Sequence, residues 1–564
     1  MLRAFNTLYA EYEIIKNLKF KTTFSYDYTT VKGEKWYDPR TSNGEDENGE
    51  VVKRIREYKK MVWSNTLSYL TTFNNIHHLD FLAGYEIDDT YNDYLSGEAY
   101  NFTTPDKHAI SNGMKTVSVG GSDSRYRLVS YLSRLNYDYK NKYYLGASFR
   151  VDGSSRLHRD NRWGTFWSVS GAWRTIEEEF MQPVKDWLTD LRIRASYGVN
   201  GTLPSDYFGY MGLSSISGGY LEQPGIQMSQ IANPNLKWET NYNMNIGLDF
   251  GFWDRLNFTI EYYTRTTKNL LMDCPVSMTT GFSSYLMNIG EVKNKGIELT
   301  INSTNIKIKD FSWNTTFNLG HNSNKVVKLD GEQTQIVSGT QIHKVGSSYR
   351  TFYVQEFAGI NPETGNPLFY TNELDENGNY IKEITENSKN AQFIPYKHAE
   401  PTVNGGISNS LRYKWLDLNF LFSYQFGGYS YDTWAQKTEH GGYDSYANIP
   451  TYYRDSWKKP GDQTNIEVYM PGKSSSVSMH KITSSRRIHS TDYFRLKNIT
   501  FGITLPKEWT NKINIGNVRF YASASNLWTW AAYDNYDPEA VSAGSATQTT
   551  PPLKTVTFGL NINF

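Results

Sequence analysis

The chain ends in LKTVTFGLNINF, residues 553–564, and this stretch decides the fold. From Val556 to Ile562 every second residue is apolar, the residues between them are small or polar, and the last position is an aromatic residue, Phe564. A period of two places the apolar side chains on one face of a β-strand. The pattern therefore predicts a long final strand with one apolar and one polar face.

The same alternation recurs along the chain, for example in YLGASFRVD (144–152), WETNYNMNIGLDF (238–250) and LDLNFLFSYQF (416–426). Runs of roughly 10 residues exceed the usual strand and suit a tilted strand that crosses a membrane. A change of face between Leu496 and Ile499 predicts a β-bulge. About seventeen strands are predicted, near residues 4–14, 18–30, 55–71, 78–90, 125–138, 142–153, 163–173, 190–198, 237–250, 255–266, 294–303, 311–320, 403–412, 416–426, 492–504, 516–526 and 553–564.

The connections between these strands alternate between short turns and long polar loops. This asymmetry is typical of outer-membrane barrels, with turns on the periplasmic side and loops outside the cell. It predicts one domain, 1–564, with its largest loops near 321–402 and 427–491. The other long loops are predicted near 31–52, 91–124, 199–235, 267–293 and 527–552.

Composition agrees with a transmembrane antiparallel β-barrel. Tyr and Gly number 43 each and aromatic residues make up 15%, while the mean hydropathy is −0.61, as expected when lipid-facing residues alternate with polar ones. Lys plus Arg equals Asp plus Glu at 58 each, which gives no global charge for nucleic acid, and the single Cys274 excludes an internal disulfide framework. An ordinary secreted all-β protein is the alternative.

Several long stretches of the sequence, taken in order, resemble the SusC/RagA-type TonB-dependent outer-membrane transporters. The resemblance begins at GASFRVDGSSRLHRDNRWGTFWSVSGAW and continues through NPNLKWETNYNMNIGLDFGFWDRLNFTIEYY and GEVKNKGIELTINSTNIKIKDFSWNTTFNLG. It resumes at DYFRLKNITFGITLP, VRFYASASNLW and the terminal FGLNINF, so it covers most of the chain.

The resemblance implies a 22-stranded barrel plugged by an N-terminal domain in the outer membrane of a Gram-negative bacterium. It further implies import of oligosaccharides or peptides, a SusD-like surface lipoprotein as partner, and the TonB complex as energy source. We expect about 17 of the 22 strands here, with the plug and first strands absent, so that the chain resembles an N-terminally truncated fragment. The final strand is similar to the signal read by the barrel assembly machinery, which would comprise Phe558, Leu560, Ile562 and Phe564.

The sequence offers binding residues rather than catalytic ones. HExxH, CxxC, GxSxG and P-loop motifs are all missing from it, and we predict no enzyme activity, cofactor or metal. Aromatic rings with nearby amides and carboxylates suit sugars or extended peptides, although such rings also pack a loop on itself or sit in an interfacial belt. The predicted substrate contacts are Tyr429, Tyr431, Trp434, Tyr443, Tyr446, Tyr452, Tyr453 and Trp457.

A second predicted set lies on the polar faces of strands and would face the barrel lumen. These side chains would either line a solute path or form salt bridges with the plug, the interpretation we favour. The set comprises Arg150, Asp152, Glu239, Asn241 and Asp249. Two other functional classes stay open, a plugless structural or adhesive barrel and a secreted all-β carbohydrate enzyme. The enzyme stays open because a sequence alone does not show whether two carboxylates lie close enough to form a glycosidase site.

Overall fold

The structure is a computed structural model that describes residues 1–220, 223–329, 334–443, 448–472, 479, 482–510, 512, 515–546 and 549–563. These residues form mainly antiparallel β-strands with a few short helices, which confirms the predicted all-β class. Tyr446 and Phe564 of the predicted site residues lie outside the described residues. Among the described residues, no helix has the length and apolar character needed to span a bilayer.

The strands are numbered in chain order. The first fourteen are β1 (Leu2–Ile15), β2 (Leu18–Tyr37), β3 (Glu50–Phe73), β4 (His77–Phe102), β5 (Gly113–Tyr139), β6 (Tyr143–Ser154), β7 (Trp163–Trp173), β8 (Leu188–Thr202), β9 (Leu213–Tyr220), β10 (Gln223–Gln230), β11 (Glu239–Phe252), β12 (Leu256–Lys268), β13 (Leu271–Pro275) and β14 (Ser284–Asn288). The remaining strands are β15 (Glu291–Lys307), β16 (Phe311–Lys328), β17 (Gln335–Ser338), β18 (Gln341–Lys344), β19 (Thr351–Gln355), β20 (Phe357–Ile360), β21 (Pro367–Tyr370), β22 (Ile384–Thr385), β23 (Phe393–His398), β24 (Val403–Tyr413), β25 (Leu416–Phe426), β26 (Tyr429–Asp432), β27 (Ile488–Ser490), β28 (Tyr493–Thr504), β29 (Asn517–Ala531), β30 (Ser545–Ala546) and β31 (Thr555–Asn563).

The helices are short. Within the described residues, two are α-helical, α1 (Thr433–Thr438) and α2 (Lys507–Thr510), and the 3-10 turns are Ile110–Asn112, Thr175–Glu177, Glu179–Val184, Met278–Thr280, Ser388–Asn390, Thr451–Asp455, Ser485–Arg487 and Pro538–Ala540.

In the part of the chain that the structure describes, seventeen strands belong to one sheet, and every predicted strand overlaps one of them. Whether this sheet closes into a barrel stays a prediction. The predicted extents of the loops 31–52 and 91–124 are wrong, because β2 runs on to Tyr37, β3 starts at Glu50, β4 runs on to Phe102 and β5 starts at Gly113. These strand extensions carry polar residues on both faces, so the contrast between faces on which the prediction depended is missing there.

The contacts divide the chain into two units. Unit 1 comprises Met1–Trp173, Arg194–Met244 and Thr267–Ile289, and unit 2 comprises Arg174–Ile193, Asn245–Thr266 and Gly290–Phe564. In unit 1, β1 to β6 each pair antiparallel with the next strand along the chain, and β3 and β4 pair without interruption from Glu50↔Tyr100 to Phe73↔His77.

In unit 2, the strands of the main sheet carry folded loops between them. The order of pairing is β15, β16, β24, β25, β28, β29 and β31. The loop between β16 and β24 contains β17 to β23, and the loop between β25 and β28 contains β26, α1 and β27. The predicted bulge in β28 is confirmed, since the register with both neighbouring strands shifts at Lys497.

Tyrosine rings cover glycines on neighbouring strands of unit 2. Gly405 lies opposite Tyr424 and Gly559 lies opposite Tyr521. A Cβ atom at Gly405 would sit 2.5 Å from the Tyr424 hydroxyl, and one at Gly559 would overlap the Tyr521 ring. An aromatic ring laid over a strand glycine restores the packing that glycine lacks, which accounts for part of the high Tyr and Gly content.

Candidate solute-binding site

The loop between β25 and β28 is built on a small three-stranded sheet. In it β26 pairs antiparallel with β27 and parallel with β30. Tyr431, in the middle of β26, is 1% exposed and packs with Phe352, Val354 and Ile488. This apolar cluster joins β26 and β27 to β19 of the loop between β16 and β24, and it holds the residues after β26 in place.

Asp432, the last residue of β26, is the N-cap of α1. Its Oδ1 accepts a hydrogen bond of 2.8 Å from the backbone N–H of Ala435, the geometry of a helix N-cap. Its Oδ2 accepts a hydrogen bond of 3.0 Å from the hydroxyl of Tyr533. Burial, with the Asp432 charge second, raises the pKa of Tyr533, so this hydroxyl keeps its proton and remains a donor. The cap fixes where α1 begins.

A buried ion pair fixes the other end of α1. The Arg487 side chain is fully buried and its Nη1 donates to Glu439 Oε2, just after the helix. The Glu439 carboxylate also accepts a hydrogen bond from the hydroxyl of Tyr452 in the 3-10 turn Thr451–Asp455. Burial, followed by the Glu439 charge, raises the pKa of Tyr452. The Glu439 carboxylate therefore connects the end of α1 with two 3-10 turns, Ser485–Arg487 and Thr451–Asp455.

These contacts shape a groove of about 260 Å³ beside α1. Trp434 of α1 is 41% exposed and lines it, and Tyr452 is half-buried. The lining residues are Trp434, Thr438, Asn448, Ile449, Pro450, Tyr452 and Asn535. An exposed indole beside amide and hydroxyl groups offers an apolar surface with hydrogen-bonding groups at its rim. The volume fits one sugar ring or one amino-acid side chain rather than a whole oligomer.

The structure brings two of the predicted substrate contacts together in this groove, Trp434 and Tyr452. Tyr431 and Tyr453 are 1% and 5% exposed, so a solute does not reach their rings in this conformation. Tyr453 points its hydroxyl at Glu467 Oε1, 3.4 Å away, and the Trp457 indole N–H donates to the Pro362 carbonyl at 2.7 Å. Substrate contact stays a prediction for all of them.

Two further predicted substrate contacts, Tyr429 and Tyr443, are partly exposed. Tyr429 is half-buried under the ammonium of Lys397, whose Nζ lies 5.3 Å from the ring centroid. Tyr443 is half-buried as well. Neither side chain lines the groove beside α1.

The predicted lumen residues bind neighbours in the sheet. Arg150 Nε lies 2.7 Å from Asp152 Oδ1, and Arg150 Nη2 donates to Ser130 Oγ at 2.8 Å. Glu239 accepts a bond from the Leu271 backbone N–H at 3.3 Å. These hydrogen bonds lie within unit 1. That Arg150, Asp152 and Glu239 line a solute path or contact a plug stays a prediction.

The other two lumen residues are also held by hydrogen bonds. Asn241 receives a bond of 2.7 Å from Thr267 Oγ1 at its Oδ1. Asp249 Oδ2 accepts from Arg192 Nε at 2.9 Å, and its Oδ1 accepts from Thr259 Oγ1 at 2.8 Å. Both side chains are less than a tenth exposed.

Sequence reasoning missed Glu439, Arg487 and Asp432, which shape the groove without lining it. An Asp before a short helical run is a cap signal and was available in the sequence. The partners Glu439 and Arg487 are 48 residues apart and belong to no motif. Among the described residues, no three His, Cys, Asp or Glu side chains come together as a metal site requires.

The family model described as "TonB dependent receptor-like, beta-barrel" matches residues 3–381. The chain belongs to the TonB-dependent receptor family. It is 32% identical over 99% of its length to TonB-dependent receptor P3 of Formosa agariphila, covering 57% of that protein. It is 29% identical over 92% of its length to TonB-dependent receptor SusC of Bacteroides thetaiotaomicron, covering 51% of that protein. The chain thus spans little more than half the length of these curated relatives.

Among solved structures, the receptor is similar to "Structure of the RagAB peptide transporter". The match has a TM-score of 0.88 at 26% identity and covers 100% of this chain and 62% of the other. The likeness to SusC and to RagAB confirms the resemblance to SusC/RagA-type transporters that the sequence indicated.

Proposed function

We propose that this chain is the carboxyl-terminal wall and loop region of an outer-membrane importer for oligosaccharides or peptides, driven by the TonB complex. The observation that carries the proposal is the similarity over the entire chain to a peptide transporter at a TM-score of 0.88. Similarity to SusC over 92% of the chain supports it. Capture and release of a solute need binding surfaces rather than covalent chemistry, so we propose no enzymatic step.

The groove beside α1 is the proposed contact point for one unit of the oligomer. Trp434 would stack on a sugar or side-chain face, and Asn448 and Asn535 would bond its polar rim. We propose a SusD-like lipoprotein as the partner that closes over the loops. Tyr429, Tyr443 and Trp457 would then help to shape the loop surface beneath it.

We further propose that the seventeen-stranded sheet is part of a 22-stranded barrel inserted by the assembly machinery. The plug, the TonB contact and the remaining strands would belong to the part of the relatives that this chain does not match. All of β1 is exposed, and so is β31 apart from Gly559, which supports further strands beside them. In lipid an unpaired backbone group costs several kcal/mol, so the wall has to close. Arg150, Asp152, Glu239, Asn241 and Asp249 would face the plug.

The proposal is tested by deleting the gene and growing the bacterium on oligosaccharides, peptides or their monomers as carbon source. Loss of growth on one class of oligomer, with growth on its monomer unchanged, is the expected result. Trp434→Ala should raise the oligomer concentration needed for half-maximal growth on the order of tenfold. Trp509→Ala is the matched control, because it removes a 60% exposed indole from α2, outside the groove. Normal growth on every oligomer would contradict import and favour an adhesive or structural barrel.

A further inference from the structure

One face of the β3–β7 wall in unit 1 is apolar and exposed. Phe81, Leu135 and Val169 lie in one cross-strand row and are 36%, 42% and 50% exposed. Leu145 and Phe149 of β6 point to the same side and are 62% and 49% exposed. The opposite face of these strands carries polar residues such as Asp80 and Arg134. Given the proposed function, the apolar face is the one that meets lipid.

Aromatic rows mark both ends of this lipid-facing region. At the end with the short turns, Tyr143 stacks 6.3 Å from Tyr139 and 6.5 Å from Trp173. At the other end, Tyr131 lies 5.1 Å from Tyr85 and pairs in register with Val151. The eight steps from Tyr143 to Val151 span about 26 Å along β6, close to the apolar height of a membrane barrel. We call the region between the two rows the apolar band.

The first charged side chains beyond the band on this face are Asp89 and Arg127. Along β5, Val129 follows Tyr131 on the same face, and the next two positions on that face are Arg127 and Arg125. Arg127 lies opposite Asp89. Up to this row the same face of β3, β4 and β5 carries no charged residue, apart from a histidine, His77, at the turn end. A charged layer therefore begins where lipid headgroups would lie.

Two arginines share one covered carboxylate in this layer. Arg125 donates to Asp89 through Nε at 2.7 Å and Nη2 at 2.6 Å, and Arg127 donates to it through Nε at 2.7 Å. The Asp89 side chain is 9% exposed, while those of Arg125 and Arg127 are 52% and 59% exposed. One negative charge thus lies underneath two outward-facing guanidinium groups, which leaves a net positive charge at the surface.

Lys59 extends the cationic layer by two strands. It lies opposite Tyr91, which in turn lies opposite Arg125. Its Nζ is 2.8 Å from Glu57 Oε2. Glu57, Asp93 and Asp123 form the next row on this face, farther from the band. The order along the strands is therefore apolar, cationic and then acidic, so an anion at the edge of the membrane meets the cations before the carboxylates.

We propose that Lys59, Arg125 and Arg127 bind the phosphate of an outer-leaflet lipid headgroup at the rim of the apolar band. Guanidinium groups bind phosphate through paired, charge-assisted hydrogen bonds, and the Nη atoms of Arg127 have no protein partner among the described residues. The acyl chains of the same lipid would lie on the apolar band below. This inference rests on the proposed membrane position of the chain.

The test measures lipid retained by the protein after extraction from its own membrane, using native mass spectrometry with added lipid A and dephosphorylated lipid A. The double variant Arg125→Gln/Arg127→Gln should lower retention of phosphorylated lipid on the order of tenfold. Because it leaves Asp89 unpaired, the triple variant Asp89→Asn/Arg125→Gln/Arg127→Gln is compared with it, and should show the same loss. Folding of each variant is checked by its heat-dependent shift in gel mobility.

Arg134→Gln is the matched control. Arg134 lies on β5 as well, is 51% exposed and bonds Asp80 at 3.1 Å, but points to the opposite face. It should retain lipid like the native protein. Equal retention by the folded triple variant, or equal retention of dephosphorylated lipid, would overturn the proposal. Oligomer uptake by the same cells is measured separately, so a failed import function is distinguished from a failed lipid site.

Discussion

The wall of unit 1 and the loop between β25 and β28 of unit 2 are stabilised in opposite ways. The wall pairs backbone over long uninterrupted stretches, as in β3 and β4, and leaves large apolar side chains exposed. The loop has strands of only three and four residues but buries Tyr431 and Arg487 almost completely. The wall thus depends on hydrogen-bond ladders and, in its proposed membrane position, on surrounding lipid. The loop depends on side-chain contacts between residues far apart in sequence.

The largest expected effect is in the loop, at its buried ion pair. Arg487→Met leaves the buried Glu439 carboxylate with only the more distant Arg486, whose Nε lies 3.6 Å away. Loss of the buried partner costs about 3–5 kcal/mol. Hydrogen exchange of residues 433–438 and 451–455 should become faster by orders of magnitude while exchange in β3 and β4 is unchanged. Adding Glu439→Gln removes the stranded charge and should recover part of the protection. Unchanged exchange in Arg487→Met would show that the ion pair does not hold this loop.

Matched phenylalanines in the two regions sharpen the comparison. Phe352 of β19 is 0% exposed where it packs against Tyr431 of the loop, and Phe149 is 49% exposed on the wall. Phe352→Ala should lower the local free energy of unfolding by about 3–5 kcal/mol, and Phe149→Ala by much less, since lipid replaces the lost contacts. Hydrogen exchange of β19 and the heat-dependent gel mobility of the protein measure the two effects. Equal losses would mean that the wall is packed like the loop.

A smaller effect is expected at the start of α1. Asp432→Ala removes the helix cap and the acceptor of the Tyr533 hydroxyl, for a loss of about 1–2 kcal/mol. Protease cleavage near residues 433–438 should become faster. Asp455→Ala removes an exposed carboxylate from the same loop and serves as the control. Equal cleavage of the two variants would argue against the capping role.

The smallest effect is a pH dependence confined to the loops. Burial lowers the pKa of His343 and of His489, so the folded loops hold these imidazoles neutral. As pH falls below their ordinary value of 6.5, the unfolded segments bind protons first, and stability declines. Hydrogen exchange of β18 and β27, corrected for intrinsic rates, should be faster at pH 5 than at pH 7.5, with β3 unaffected.

The variant His489→Phe tests the cause of that pH dependence. It keeps a ring stacked on Tyr533, where the centroids are 3.7 Å apart, but does not titrate. The pH dependence in β27 should therefore shrink. A dependence of the same size in the variant would point to another titrating group.

The wall was predictable from the sequence because the alternation of apolar and polar residues in each strand is visible within a few neighbouring positions. The predicted bounds 163–173 and 416–426 are those of β7 and β25. Two residues either side suffice to recognise alternation, and a bulge appears as a change of face. The strand extensions escaped prediction because both faces turn polar beyond the apolar band.

The loop was predictable only as a loop rich in aromatic residues. That Trp434 is exposed and Tyr431 is buried depends on partners such as Phe352 and Arg487, which lie tens of residues away and belong to no motif. Aromatic content thus indicated a binding surface, but tertiary contacts decide which rings it offers.

The uninterrupted register of β3 and β4 also limits how this wall can evolve. A single inserted residue would turn every following side chain of its strand to the other face, exchanging apolar-face and polar-face positions. A change in strand length therefore preserves both faces only if two residues are inserted at a time and matched in the adjoining strands. A single inserted residue has to be accommodated as a bulge. The register shift between Glu98 and Ala99, where β4 meets β5, has the form of such a tolerated odd step, and it lies beyond the apolar band, where both faces are already polar.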